Sequence, residues 1–214
     1  MKIPSGSKAL LLVDIQPDFM PGGGLAVPGG DEILEPAGRL MSSQEFDLLV
    51  ATQDWHPRNH ISFASQHPGH IIFDVISLYG EDQVLWPDHC VQGTAGAALH
   101  TGLNWDPVSA IVRKGMDPAV DSYSAFRNNW DAEGTRPETG LAGYLRERGI
   151  TDVYLCGLAR DYCVKWSAED AAEAGFNVTV IWDATRPVDP SSDEQVRSDL
   201  TSRWIRILQA SDIS

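Results

Sequence analysis

Of three cysteines in 214 residues, one sits where a thiol can do chemistry. Cys163 lies in Gly157-Leu158-Ala159-Arg160-Asp161-Tyr162-Cys163-Val164, a glycine-led loop after an apolar run. The loop opens a stretch that carries Val164, Ala168, Ala171 and Ala172 on one helical face. Asp161 is a natural N-cap, which puts Cys163 in the first helical turn. Unsatisfied backbone N–H groups and the helix dipole there favour a thiolate and lower the thiol pKa. The same amides, with that of Ala159, could accept the charge of a tetrahedral oxyanion. A thiol nucleophile also needs a proton acceptor and a nearby positive charge. Asp14 and Lys114, each closing a separate apolar run, can supply them. Cys156 lies inside a strand-like run and reads as core. Cys90 competes as a nucleophile, but its neighbour His89 reads as a ligand.

A second constellation is Asp54-Trp55-His56-Pro57-Arg58-Asn59-His60, followed later by Trp86-Pro87-Asp88-His89-Cys90. In extended chain, residues two apart point the same way, so Asp54 and His56 can converge on one ion. His89 completes a mixed oxygen and nitrogen set with positions left for water or substrate. Zinc, iron and manganese all accept such donors. His60 is either a fourth ligand or a residue that orients a neighbouring ligand by hydrogen bonding. His67, His70 and His100 read as surface residues.

The elements that must position these groups are short apolar runs alternating with amphipathic stretches. Ala9–Val13 ends at Asp14, Leu48–Ala51 precedes Asp54, and Ala110–Val112 precedes Lys114. Val153–Cys156 precedes Gly157, and Val178–Ile181 precedes Asp183. These five runs predict parallel strands buried on both faces. Helices are predicted over about 31–43, 139–148, 161–174 and 193–209. Strand–helix alternation implies an α/β fold, a parallel β-sheet flanked by helices on both faces in a Rossmann-like three-layer arrangement. Ligands bind such sheets at the carboxyl ends of the strands, where Asp14, Asp54, Lys114 and the 157–161 loop all fall. The segment from Trp55 to Trp105 is rich in His, Pro and Gly and reads as irregular and functional.

Length fits one domain over residues 1–214. Hydrophobic residues make up 43% and charged residues 21%, which suits a folded chain throughout. A formal charge of −14 repels nucleic-acid backbones and anionic lipid surfaces but not small neutral substrates. No apolar run approaches the ~20 residues that span a bilayer, and no signal-peptide pattern begins the chain. The expectation is a cytoplasmic enzyme without nucleic-acid or membrane partners. Homo-oligomerisation is left open.

On four ordered motifs the sequence resembles the nicotinamidase/pyrazinamidase branch of the isochorismatase-like cysteine hydrolases. They are Ala9 to Phe19, Thr52 to Ala64, Trp86 to Thr94, and Gly157 to Val164. The resemblance implies a triad of Asp14, Lys114 and Cys163 and a divalent metal at Asp54, His56 and His89. It also implies an oxyanion hole from the amides of Ala159 and Cys163, and a cis peptide before Ala159. Phe19, Trp86 and Tyr123 match or lie near positions that wall an aromatic substrate. The implied reaction is hydrolysis of nicotinamide to nicotinate and ammonia through a thioester, in NAD salvage, with pyrazinamide as a further candidate substrate. The metal would hold the pyridine nitrogen. Arg160 departs from the small or apolar residue expected at its position. Alternatives are a ureidoacrylate or carbamoylsarcosine type of amidohydrolase, or a non-catalytic metal-binding protein.

Overall fold

A computed structural model describes residues 6–213. Six parallel strands form the central sheet: β1 (Ser7–Val13), β2 (Leu48–Asp54), β5 (Ala110–Lys114), β6 (Ile150–Leu158), β7 (Asn177–Arg186) and β8 (Arg206–Leu208). Their order is β5-β2-β1-β6-β7-β8. The chain therefore builds outward on one side of β1 and then returns to build on the other, which opens a crevice between the carboxyl ends of β1 and β6.

Alternation along β1 shows how the layers form. Leu10 and Leu12 enter one core with Ala37, Leu40 and Met41 of α1 (Leu34–Ser42). Ala9, Leu11 and Val13 enter the opposite core with residues of α2 (Leu141–Glu147), α3 (Lys165–Glu173) and α4 (Asp193–Ser202). Period-two side chains on a central strand thus demand apolar residues at every position. Each fully buried leucine contributes about 1.5–3 kcal/mol. Ala168 and Ala171 are the small residues through which α3 approaches the sheet closely. No helix among the described residues is long and apolar enough to cross a membrane.

Three expectations need correction. The last predicted helix, 193–209, ends at Ser202, and residues 206–208 add a sixth strand paired with β7. Trp204 at φ 61° turns the chain, and Ile205-Arg206-Ile207 has the period of a strand rather than a helix. The helix predicted from Asp161 begins instead with a wide five-residue turn, Arg160–Val164, before α3. The segment 55–105 is less irregular than expected: β3 (Val75–Leu78) and β4 (Glu81–Val84) form an antiparallel hairpin within it.

Two glycines are dictated by close approach. Gly157 has φ 116°, and a Cβ there would lie 2.0 Å from the Val13 carbonyl oxygen, so only glycine lets β1 and β6 meet at the crevice. Gly115, at φ 63°, leaves room for the His56 ring, which a Cβ would approach to 2.3 Å.

Candidate active site

The ends of β1, β2 and β5 deliver one buried charge cluster. Asp54 and Lys114 are register partners on adjacent strands, and Lys114 is 1% exposed. Its Nζ donates to Asp54 Oδ1 at 2.5 Å, to the Ser122 carbonyl at 2.9 Å and to Cys163 Sγ at 3.4 Å. Asp14 Oδ2 lies 2.9 Å from the same nitrogen. It is buried and receives no directed hydrogen bond among the described residues. Asp14 Oδ1 is occupied, accepting from Thr52 Oγ1 at 2.6 Å, while the Asp14 amide donates to that hydroxyl. Asp14 adopts φ 47°, a left-handed conformation costly for a residue with a side chain, at the mouth of the crevice. One carboxylate oxygen is thus fixed by Thr52 and the other is paired with the Lys114 ammonium.

Oxygens of Asp14 and Asp54 and the sulfur of Cys163 lie within 4.8 Å of one another. Burial pushes the Cys163 thiol pKa well up, Lys114 opposing and the two carboxylates reinforcing it. The expected low-pKa thiolate is therefore not the resting form, because burial outweighs the stabilising lysine. Burial also lifts Asp14, to about 6, against the pull of Lys114 and Thr52. At neutral pH the pair is a thiol facing a carboxylate. Asp161 is not the helix cap. Its carboxylate reaches outward to accept from the amides of Val188 and Asp189.

The Cys90 thiol is fully buried, and its amide donates to Asp18 Oδ2 at 2.7 Å. Burial lifts the Cys156 thiol to about 12, in keeping with a core residue.

Asp54 also faces the second constellation. Its Oδ2 lies 3.7 Å from His56 Nε2 and 3.9 Å from His89 Nε2. His56 Nδ1 meets the Gly115 carbonyl at 2.9 Å, and His89 Nδ1 meets the Pro87 carbonyl at 2.8 Å. A carbonyl only accepts, so both rings carry their proton on Nδ1 and turn the Nε2 lone pair toward Asp54. Burial keeps His89 neutral down to about 4. At His56 burial acts the same way, but the Asp54 carboxylate prevails and raises the ring's basicity. This donor set, with an electrostatic preference for positive charge, fits a divalent cation. His60 Nδ1 meets Ser62 Oγ at 2.7 Å and Nε2 the Val120 carbonyl at 3.2 Å, and His60 also forms, with His56 and Asp121, a group whose ligand atoms lie within 4.8 Å of one another. Its ring centroid lies 4.1 Å from that of His56, which it braces.

Between sulfur and the histidines lies a narrow cleft of about 20 Å³. Phe19, Trp86 and Tyr123 line it, with Tyr162, Leu25 and Val188. Trp86 and Tyr162 meet edge to face at 4.7 Å, and Trp86 Nε1 donates to the Tyr123 hydroxyl at 3.3 Å. Ala159 and Cys163 also line the cleft. The Leu158–Ala159 peptide is cis, as the resemblance implies.

Sequence reasoning missed Thr52, Gln16, Asp121 and Tyr162. Gln16 clamps Asp54 through both backbone groups, accepting from its amide at 2.8 Å and donating to its carbonyl at 2.9 Å. Spacing holds a signal for two of them. Thr52 stands two residues before Asp54 on β2, and Gln16 two residues after Asp14. Asp121, buried in the cleft, is bound by Gln83 Nε2 and the Ser122 amide.

Residues 8–210 match the Isochorismatase domain, and the chain belongs to that family. A nicotinamidase of Acinetobacter baylyi is 51% identical over 187 residues, covering 87% of this chain and 85% of that protein. A nicotinamidase of Escherichia coli is 47% identical over 183 residues, covering 85% and 84%. Among solved structures, a nicotinamidase/pyrazinamidase of Acinetobacter baumannii superposes with a TM-score of 0.92 at 45% identity, covering all of both chains. A zinc complex of a Pyrococcus horikoshii pyrazinamidase superposes at 0.75 with 39% identity, covering 96% of this chain and 99% of that one.

Proposed function

We propose that this chain is a nicotinamidase, an amidohydrolase that converts nicotinamide to nicotinate and ammonia in NAD salvage, with one catalytic domain. The observation that carries the reading is the sharing of Asp54: one oxygen holds Lys114 beside Cys163, and the other faces His56 and His89. Cys163, His56 and His89 line one cleft, so a ring held at the histidines would turn its carboxamide toward the sulfur.

As Cys163 Sγ bonds to the carboxamide carbon, Asp14 Oδ2 takes the thiol proton. The carbonyl π pair moves to oxygen, where the amides of Ala159 and Cys163 receive it. Asp14 passes its proton to the amide nitrogen, the C–N bond breaks and ammonia leaves a thioester. Water then gives a proton to Asp14 and adds to the thioester carbon. The C–S bond breaks with its pair on sulfur, which recovers the proton from Asp14, and nicotinic acid leaves and ionises to nicotinate by giving its proton to solvent. Lys114 stabilises anionic charge on sulfur and carboxylate throughout. Asp54, His56 and His89 would hold a divalent ion, zinc in the first instance with iron and manganese also suited, which supplies a Lewis-acid contact for the ring nitrogen.

Asp14 must start as a carboxylate. The relevant form is lost as pH falls through about 6, so kcat/KM should decline tenfold per pH unit below that point. A profile level across this region would remove Asp14 as the base.

The function is tested by ammonia release from nicotinamide, pyrazinamide and benzamide. Nicotinamide and pyrazinamide, which keep the ring nitrogen, are expected to turn over. Benzamide should be slower by ~10²-fold or more, because its ring leaves a polar site unmatched. Dialysis against chelator should remove activity, and added zinc should restore it. Equal rates on benzamide and nicotinamide would contradict the role given to the metal, and no ammonia from nicotinamide would contradict the function.

A further inference from the structure

Ala159 and Cys163 are joined through Arg160, Asp161 and Tyr162, so the relative placement of their amides is set by that turn. Within the turn, the Ala159 carbonyl accepts from the amides of Tyr162 at 3.2 Å and Val164 at 3.0 Å. The stronger hold comes from Arg160, whose guanidinium is buried behind the turn. Nε donates to Thr185 Oγ1 at 2.8 Å. Nη2 donates to the carbonyls of Thr185 at 2.6 Å and Trp182 at 3.0 Å. Nη1 reaches both carboxylate oxygens of Asp193 at 2.7 Å. These five bonds match the five N–H donors of the group. The guanidinium also stacks 3.9 Å from the centre of the Trp182 ring, and Arg197 lies 3.7 Å from that centre. The neighbouring Asp161 carboxylate binds the amides of Val188 and Asp189 at 2.9 Å each. Two consecutive residues therefore pin the nucleophile turn to the end of β7, the segment after it and the start of α4.

We propose that Arg160, closed by Asp193, is a positioning residue that aligns the Ala159 and Cys163 amides on the developing oxyanion. This rests on the reaction proposed above. Arg160 touches neither substrate nor the reacting atoms. Its effect passes through the backbone of the turn, where a shift of under an ångström weakens hydrogen bonds made only at the transition state.

The variants are Arg160→Leu, Arg160→Lys and Asp193→Asn, the last at a partly exposed carboxylate where folding is least at risk. Rates are expressed per mole of protein that elutes as the folded species on gel filtration, so unfolded protein does not count. Two inhibitors separate positioning from general damage. Pyridine-3-carbaldehyde adds the Cys163 sulfur to its carbonyl carbon: the S–H proton passes to Asp14, an S–C bond forms, the π pair moves to oxygen, and no group leaves. Its affinity therefore depends on the oxyanion amides. 3-Methylpyridine has the ring and no carbonyl. Expected are a kcat loss of ~10²-fold for Arg160→Leu and ~10-fold for Asp193→Asn, with KM within about threefold. Arg160→Lys should fall between wild type and Arg160→Leu. Aldehyde inhibition should weaken in parallel with kcat, while 3-methylpyridine inhibition stays constant. Unchanged kcat in Arg160→Leu and Asp193→Asn, or equal weakening of both inhibitors, would overturn the proposal. A wild-type enzyme inert toward nicotinamide contradicts the proposed function instead, and the inhibitor ratio still tests the positioning role.

Discussion

Replacing Cys163 by alanine is expected to lower nicotinamide turnover by ~10⁴-fold or more, with the fold and ring binding kept. The size follows from what sulfur does in this cleft. It is the atom that bonds to the carboxamide carbon, and the oxyanion amides have nothing to stabilise until that bond begins to form. The substitution removes a buried thiol of modest volume at the edge of the cleft, so stability should change little. Ammonia release by the purified variant, beside binding of 3-methylpyridine, checks both halves. Turnover within tenfold of wild type would remove Cys163 from its place in the reaction.

Lys114→Met should have the second largest effect, and on stability as well as on rate. The wild-type ammonium serves Asp14, Asp54, the Ser122 carbonyl and Cys163 from a fully buried position. An apolar side chain of similar length fills the space but strands two buried carboxylates. Leaving such charges uncompensated costs about 3–5 kcal/mol, read as a fall in the urea midpoint. The deficit should be greatest at high pH. With the lysine gone, the folded-state pKa of Asp14 rises further above its unfolded value, so the folded state binds more protons. Stability is therefore regained as pH falls and the carboxyl group becomes neutral. Catalysis should be lost over the same range, because a protonated Asp14 cannot take the thiol proton. A variant as stable as wild type would show that the lysine is not the counter-ion of this cluster.

The fold was legible where side-chain burial is simple. Leu10, Leu11 and Leu12 announce a strand covered on both faces, and the polar residue that ends each such run marks the crevice. The strand at 206–208 was hidden because Val196 and Leu200 have helical spacing that Ile205 and Ile207 do not visibly interrupt. Only the turn at Trp204 separates the two. At the site, Asp14, Asp54, Lys114 and Cys163 were readable because each follows a strand. Thr52 and Gln16 carry only the weaker signal of a two-residue spacing from Asp54 and Asp14, and that spacing does not name the partner each meets across the sheet. The thiol's electrostatics were misjudged for a related reason. Helix-end position is written in local sequence, whereas the burial that raises the Cys163 pKa is assembled from distant segments. Arg160 looked anomalous until Thr185 and Asp193 supplied its partners.

The most direct test of the account is rapid acid quenching of enzyme mixed with excess nicotinamide, followed by mass analysis of the intact chain and its peptides. One nicotinoyl group on the peptide containing Cys163, absent from the alanine variant and discharged as nicotinate on a longer reaction time, is the predicted result. Steady ammonia release with no acyl group on Cys163 at any quench time, under conditions that preserve a thioester, would contradict it.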